Sequence, residues 1–315
     1  MRAVTIREGG ALELAEHPDP QPGGGEVLVR VRAAGLNGAD MLQRKGGYPA
    51  PPGAPADIPG LEFAGEVVAL GPGARRFAEG DRVMGIAAGG GQAELIAVHE
   101  RQVMPVPDGL DWAAAGGFPE VFTTAHDAIV TQCGLRPGER LLVHGAAGGV
   151  GTAAVQIGVL TGARVTATVR NPASRDRVAA LGAEAVIDPE GFADHGPFDV
   201  ILELIGAPNL PGDIDALNTW GRIVVIGVGG GFKAEVNLLG LMGKRGTLRA
   251  STLRPRPLEE KAAAARAVER ELLPALAAGT IHVPIAQTFA LADAEAAYAA
   301  FTAGGKFGKV VLLGD

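Results

Sequence analysis

The stretch VHGAAGGVG, residues 143–151, has the residue types and spacing of a turn that binds a dinucleotide: Ala146, Gly148 and Gly151 take its three small-residue positions. A pyrophosphate needs close approach to the backbone and free amide donors, which small residues and a following helix N-terminus supply. The pattern alone is weak in a chain with 48 glycines. A preceding apolar run and a following helical pattern strengthen it. The residues expected to contact the pyrophosphate are Ala146, Gly148, Gly149, Val150 and Gly151.

The residues after the next predicted strand indicate which dinucleotide binds. NAD-binding turns place a carboxylate there, about twenty residues after the glycines, to hold the ribose hydroxyl. No carboxylate occurs between Glu139 and Asp176, and the strand leads instead into Arg170, Asn171 and Arg175. A guanidinium pairs well with a 2′-phosphate, so these three residues predict NADP(H). The alternative is that the arginines are solvated residues at a helix start.

Two kinds of sequence pattern along the chain indicate the secondary-structure elements that must position these residues. The first hundred or so residues show short strands, as in GEVLVRVRAAG, where valines alternate with other residues. From Phe118 onward helices and strands alternate, which predicts a doubly wound α/β domain with a parallel sheet. The last sixty or so residues hold two Ala-rich helices and a terminal strand, GKVVLL.

Composition excludes several classes of protein. A chain of 315 residues is long enough for two domains, and its net charge of −7 without a long basic run argues against a nucleic-acid partner. A single cysteine excludes an internal disulfide framework. The N-terminus lacks a signal-peptide core, and glycines interrupt the uncharged stretch from Leu141 to Ala163. We therefore expect a soluble, cytoplasmic protein without a membrane span.

Five segments, in order, resemble the zinc-free NADPH:quinone oxidoreductases, the zeta-crystallin-like branch of the medium-chain dehydrogenase/reductase superfamily. They are AAGLNGADMLQRKGGYPAPPG, IPGLEFAGEV, GGGQAELIAV, VHGAAGGVGTAAVQI and GKFGKVVL. The resemblance implies an α/β fold in which a GroES-like β domain, residues 1–118 and 254–315, is split around a Rossmann domain, residues 119–253. It also implies NADPH in the cleft between the domains and a homodimer formed through the edge of the Rossmann sheet.

No metal is expected. Zinc-dependent relatives carry a histidine where this chain has Leu61 and a cysteine near the position of Asn37. A catalytic zinc needs three nitrogen, sulfur or carboxylate ligands, and the six histidines show no close pair.

Without a Lewis acid, the enzyme needs an acceptor that is itself electrophilic, such as a quinone or a similar activated carbonyl. Hydride addition to a quinone yields a weakly basic hydroquinone anion, so catalysis consists mainly of orientation in a dry site. By resemblance, Tyr48 and Asn37 are the candidate catalytic residues, and Gln92 and Arg254 the candidate substrate contacts. Each of the first three has a structural alternative: loop packing for Tyr48, a turn for Asn37 and a flexible hairpin for Gln92.

The resemblance also assigns cofactor contacts outside the glycine turn. They are Thr124, Gly227, Val228, Ser251, Thr252, Phe307 and Lys309. Each of two has a structural alternative: Gly227 equally suits a turn at a strand end, and Lys309 equally suits a position at a strand edge.

Two other functions stay open. One is a 2-enoyl reductase, which also uses NADPH but must protonate an α-carbon, with Tyr48 as the donor. The other is a nucleotide-binding protein with little turnover.

Overall fold

The computed structural model describes residues 1–314 and divides into two compact units. The β unit comprises Met1–Thr123 and the segment from Leu253 onward, and the α/β unit comprises Thr124–Thr252. The predicted boundaries at 118/119 and 253/254 differ from this division by a few residues, because the first helix after Phe118 contributes its N-terminal half to the β unit.

The β unit is built on a seven-stranded, largely antiparallel sheet and a two-stranded ribbon. In the sheet, the order is β14-β15-β3-β4-β5-β7, and β6 also pairs with β3. The strands are β1 Arg2–Ile6, β2 Leu12–Glu16, β3 Glu26–Gly35, β4 Glu62–Leu70, β5 Arg82–Ile86, β6 Leu95–His99, β7 Val103–Pro105, β14 Ile285–Ala290 and β15 Lys309–Leu313. Val27, Val29 and Val31 of β3 are buried in the core, as their alternation predicts.

The β unit also contains helices, and those that follow Asp111, Pro257 and Asp293 contact strands of the sheet. The helices of this unit are α1 Gly38–Arg44, α2 Trp112–Gly117, α8 Leu258–Glu271, α9 Leu273–Ala277 and α10 Ala294–Ala303, with α3 Pro119–His126 leading into the α/β unit. In α8 the buried residues are Ala262, Ala265 and Val268, which lie three apart and so share one face. The Ala-rich segment is therefore an amphipathic helix.

The α/β unit contains a six-stranded parallel sheet of order β10-β9-β8-β11-β12-β13. Its strands are β8 Arg140–Val143, β9 Arg164–Thr168, β10 Ala185–Ile187, β11 Phe198–Glu203, β12 Leu217–Val225 and β13 Thr247–Ala250, and its helices are α4 Gly149–Thr161, α5 Arg175–Ala179, α6 Leu210–Asp215 and α7 Leu238–Lys244. This is the doubly wound order, whose ligand position is the carboxyl edge where the order reverses beside β8. The predicted α/β fold class is confirmed.

The structure differs from the sequence pattern after Pro119. The predicted helix from Pro119 to Gly134 is α only to His126, and a π-helical segment, Asp127–Gln132, completes it. The uncharged stretch that begins at Leu141 forms β8, a turn and α4, and no helix within residues 1–314 is long and apolar enough to cross a membrane.

Candidate functional site

The glycine corner, residues 145–151, connects β8 to α4. It begins at Gly145, whose φ of +61° lies in the left-handed region. Gly145 accepts a hydrogen bond from the Gly148 amide (3.0 Å), which closes the turn. The chain then enters α4 at Gly149, with Gly148 as the residue before the helix.

The glycines have distinct roles in the corner. A Cβ on Gly151 would lie 2.5 Å from the Gly145 oxygen and 2.6 Å from the Ala146 Cα, so this glycine lets the helix pack onto the turn. A Cβ on Gly148 would meet only the Gly145 oxygen, at 3.5 Å. No side chain caps α4 and its first turn holds no acid, so its amides can receive an anion. The corner therefore fits a diphosphate.

The residues after β9 are only partly available to a second phosphate. Arg170 is exposed, and within residues 1–314 its guanidinium has no hydrogen bond or ion pair. Arg175 donates to Asp188 (Nη2–Oδ2, 2.5 Å) and to the Val169 carbonyl, and the Asn171 side chain accepts from the Ala173 amide. Of the predicted set, Arg170 is the free cation.

The other predicted cofactor contacts of the α/β unit lie mainly beyond strand ends. Gly227 and Val228 follow β12, and a Cβ on Gly227 would lie 2.2 Å from the Leu204 oxygen. Ser251 and Thr252 follow β13, where the Ser251 amide donates to the Val225 carbonyl (3.2 Å). Parallel strands bring these segments and the glycine corner to one edge of the sheet. Thr124, in α3, is partly buried.

In the β unit, a buried group that we call the lysine cluster joins Asn37, Asp40, Glu62 and Lys309. The Lys309 ammonium donates to the Leu36 carbonyl (2.7 Å), Asn37 Oδ1 (2.8 Å) and Glu62 Oε1 (2.5 Å). The side-chain amide nitrogen of Asn37 donates to Glu62 Oε1 (2.9 Å) and to the Gly35 carbonyl (3.3 Å). Since an ammonium has three donors, the bonds of Lys309 are complete without a ligand.

Asp40 completes the lysine cluster from the first turn of α1. Its carboxylate accepts hydrogen bonds from the backbone amides of Asn37 (2.8 Å) and Gly60 (3.1 Å). Asp40 therefore joins α1 to the segment before β4. Burial raises the pKa of Asp40 to about 6.

Tyr48 and Arg254 form a second polar group in the β unit. The buried Arg254 guanidinium donates to the Ala88 carbonyl (2.7 Å), the Tyr48 carbonyl (3.1 Å) and Gln43 Oε1 (2.7 Å), and lies 5.2 Å from the Tyr48 ring centroid. The half-buried Tyr48 hydroxyl has no hydrogen bond within residues 1–314, and burial raises its pKa. Tyr48 is therefore a protonated donor that is free to bind a ligand, whereas Arg254 holds its loop.

Glu120 is a residue that the sequence analysis missed. Its amide donates to Glu62 Oε2 (2.8 Å), but its own carboxyl has no hydrogen bond within residues 1–314. Burial first, and then the Glu62 carboxylate, raise the pKa of Glu120 to about 8. An acid at the start of a helix is common for helix stability alone, so the sequence held no signal for this.

Gln92 and Phe307 lie in the interior of the β unit. The Gln92 side chain is fully buried and accepts a hydrogen bond from the Tyr298 hydroxyl (2.9 Å), while its Nε2 has no partner among residues 1–314. Phe307 is 5% exposed. The structure thus places Gln92 in the protein core rather than on a flexible hairpin.

One further buried group lies in the α/β unit. In what we call the histidine network, His144 bonds Thr168 and Asp213 and approaches Glu203. His144, Glu203 and Asp213 are the one group in residues 1–314 that offers three ligand atoms suited to a metal. Their geometry is already that of hydrogen bonding, with 2.8 Å between His144 Nε2 and Asp213 Oδ1.

Two family models match the chain: the alcohol dehydrogenase GroES-like domain over residues 23–108 and the zinc-binding dehydrogenase over residues 149–269. The chain is 33% identical over 313 residues to a quinone oxidoreductase of Pseudomonas aeruginosa, covering 96% of this chain and 95% of that protein. It is 41% identical over 208 residues to the polyketide synthase GfsB of Streptomyces halstedii, but the match spans 64% of this chain and only 4% of that protein.

Two solved structures are similar to this chain over nearly its whole length. The quinone oxidoreductase of Thermus thermophilus, solved alone and with NADPH, superposes with a TM-score of 0.86 at 35% identity, over 99% of this chain and all (100%) of that one. The CurK enoyl reductase superposes with a TM-score of 0.87 at 25% identity, over 100% of this chain and 99% of that one.

Proposed function

We propose a specific reaction for this chain, which belongs to the quinone oxidoreductase branch of the medium-chain dehydrogenase/reductase superfamily. The chain is an oxidoreductase. The proposed reaction is NADPH-dependent reduction of quinones or similar activated carbonyls by hydride transfer without zinc.

One observation supports the cofactor assignment above others: an uncapped helix start and an unpaired Arg170 occur at the ends of adjacent strands. The corner offers amides to a diphosphate, and Arg170 offers a bidentate donor to a 2′-phosphate. The solved complex of the Thermus thermophilus enzyme with NADPH agrees with this assignment. When bound, NADPH supplies the hydride.

Tyr48 is the residue proposed to contact the acceptor. Its hydroxyl is free and protonated, so it can donate a hydrogen bond to the oxygen on which negative charge develops. Asn37 and Lys309 use their polar atoms inside the lysine cluster, so we propose that they support the site rather than contact a ligand. A quinone needs no stronger acid, since its hydroquinone anion is weakly basic.

The proposal is tested by comparing NADPH and NADH affinities in Arg170→Ala. Loss of a charge-assisted bond raises the Kd for NADPH by roughly 10- to 100-fold and leaves the Kd for NADH unchanged. Arg164→Ala is the matched control, because Arg164 is an exposed arginine of the same unit paired with Glu184. Equal affinity of the wild type for both cofactors would refute the NADPH assignment. A panel of quinones then tests turnover.

A 2-enoyl reductase is the second candidate, favoured by the similarity to the CurK enoyl reductase and by the free Tyr48 hydroxyl. This reaction must deliver a proton to carbon, so it depends on a positioned acid. Tyr48→Phe separates the candidates: enoyl-thioester reduction falls by about 100-fold or more, whereas quinone reduction survives.

We also propose a homodimer formed through the edge of the Rossmann sheet. The edge strand β13 is exposed along its length, and Trp220, Leu238, Leu239 and Met242 are between 66% and 77% exposed. An open strand beside exposed apolar side chains is typical of an interface. Sedimentation equilibrium tests this; a monomer at micromolar concentration would contradict it.

A further inference from the structure

The cofactor candidates of the α/β unit lie on separate segments that one buried network connects. The segments are the glycine corner after β8, Arg170 after β9 and Gly227–Val228 after β12. The histidine network consists of His144, Thr168, Glu203 and Asp213, all 0–2% exposed. Its members occupy strand ends and α6: His144 bonds Thr168 and Asp213, and Glu203 Oε2 lies 3.7 Å from His144 Nε2.

Thr168, the last residue of β9, holds the start of the glycine corner. Its hydroxyl bonds His144 Nδ1 (3.1 Å) and accepts from the Gly145 amide (3.3 Å). Its carbonyl accepts from the Ala146 amide (3.1 Å). The first two residues of the corner therefore depend on one threonine.

His144 links this threonine to Asp213 on α6. The distance from His144 Nε2 to Asp213 Oδ1 is 2.8 Å, and the Phe192 ring packs edge-on against the imidazole with centroids 4.5 Å apart. Both ring nitrogens are bonded, so a rotation of the ring would break two hydrogen bonds. One proton lies between Nε2 and Oδ1 whichever of the two atoms holds it.

Glu203, the last residue of β11, holds two further segments. Its carboxylate accepts from the amides of Ile205 and Gly206 and from Asn209 Nδ2 (3.0 Å). Its carbonyl accepts from the amides of Ile226 (2.9 Å) and Gly227 (3.2 Å). The Glu203 side chain thus holds the turn after β11, and its backbone carbonyl holds the entry to the Gly227–Val228 segment.

We propose that the histidine network is a positioning device for the dinucleotide: it holds the glycine corner and the Gly227–Val228 segment in the arrangement that receives the cofactor. This inference rests on the proposed function, since it takes the corner to be the cofactor site. Burying three ionisable side chains opposes folding, and apolar residues would fill the same space at lower cost. The cost is accounted for if the network maintains backbone geometry at the site.

The test compares Thr168→Val with Thr168→Ser in titrations with NADPH. Valine keeps the shape and removes the hydroxyl, so the Kd for NADPH rises by about three- to tenfold. Serine retains the hydroxyl and keeps the Kd within about twofold of wild type. The kcat at saturating NADPH changes less than the Kd, because the segments held are those that bind the cofactor.

Glu139→Gln is the matched control for stability. Glu139 pairs with Arg222 just before β8, at the amino end of the sheet, and within residues 1–314 it has no hydrogen bond with a member of the network. The Glu139→Gln variant should lower the Tm and leave the Kd for NADPH unchanged. If Thr168→Val does not fold, His144→Gln replaces it, since glutamine can still reach Asp213 but loses Thr168; the expected rise in Kd is the same.

The inference is overturned if Thr168→Val binds NADPH as tightly as wild type, or if Kd follows Tm equally in Thr168→Val and Glu139→Gln. A different result, in which the wild type binds neither NADPH nor NADH, would refute the proposed cofactor site itself.

Discussion

The two units of this protein each bury a group of polar side chains, and the two groups handle charge differently. In the lysine cluster, the Lys309 ammonium pairs with the Glu62 carboxylate, and the three donors of Lys309 are all used. In the histidine network, two carboxyls face a histidine whose pKa burial lowers. The first group contains an ion pair, whereas in the second group burial raises the pKa of both carboxyls.

The carboxylate oxygens of the two groups also differ in their hydrogen bonds. Asp213 Oδ2 has no hydrogen bond within residues 1–314, whereas both oxygens of Glu62 are bonded. Burial raises the pKa of Asp213 to about 7, which places its titration near neutral pH. The β unit thus contains the Lys309–Glu62 ion pair together with Asp40, whose pKa is raised to about 6, whereas in the α/β unit the pKa of both carboxyls of the histidine network is raised.

Removing the cation of the lysine cluster gives the largest expected effect. Lys309→Met leaves the Glu62 carboxylate buried without its partner, which destabilises by about 3–5 kcal/mol. The measurement is urea unfolding in a Trp220→Phe background, where Trp112 of the β unit is the single remaining tryptophan. Lys309→Met with Glu62→Gln removes both charges and should recover part of the loss. A double variant no more stable than the single one would contradict the fixed-pair account.

The sequence predicted the glycine corner and the doubly wound sheet because both depend on local signals. The spacing of Ala146, Gly148 and Gly151 lies within one turn, and strand and helix periodicities are properties of short segments. The lack of a carboxylate near Arg170 is equally local. These features required no knowledge of which distant segments meet.

Neither buried group was predicted as a group, because its members are far apart in the chain. The resemblance did name Asn37 and Lys309, but as a catalytic residue and a cofactor contact. Lys309 lies 247 residues from Glu62, and Asp213 lies 69 residues from His144. A lysine in a terminal strand or an aspartate in a short helix is common at a protein surface, so type and spacing did not mark them. Gln92 shows the same limit: it was expected to contact substrate or to lie in a flexible hairpin, and neither expectation included its hydrogen bond with Tyr298, 206 residues away.

Removing the titrating acid of the histidine network should change the free energy of unfolding by up to about 4 kcal/mol, since a shift of one pKa unit corresponds to about 1.4 kcal/mol. The pKa of Asp213 rises from 3.8 to about 7 on folding, so the folded protein keeps a proton that the unfolded chain releases between about pH 4 and pH 7. Stability from this group is therefore lost as the pH rises through that window. The amide side chain in Asp213→Asn cannot titrate, so this variant should gain stability relative to wild type from pH 4 to pH 8.

The measurement is urea unfolding of both proteins in a Trp112→Phe background, where Trp220 reports on the α/β unit. Taking the difference between variant and wild type cancels the titration of the other acids. A difference that stays constant from pH 4 to pH 8 would show that Asp213 does not titrate in this window with the raised pKa.

Glu120 gives the smallest expected effect and tests whether the fixed-charge description holds at the margin of the lysine cluster. Because its pKa is raised to about 8 by burial and by the Glu62 carboxylate, it is mostly neutral at pH 7 and ionised at pH 9. Ionisation adds a negative charge near Tyr48, whose hydroxyl is proposed to stabilise a developing anion, so kcat/KM for a quinone should fall by about threefold across pH 8. In Glu120→Gln this fall disappears, while activity at pH 7 stays near that of wild type. Glu79→Gln, an exposed acid of the same unit, should retain the fall. If the fall persists in Glu120→Gln, another group causes it, and Glu120 does not carry the pH dependence of the reaction.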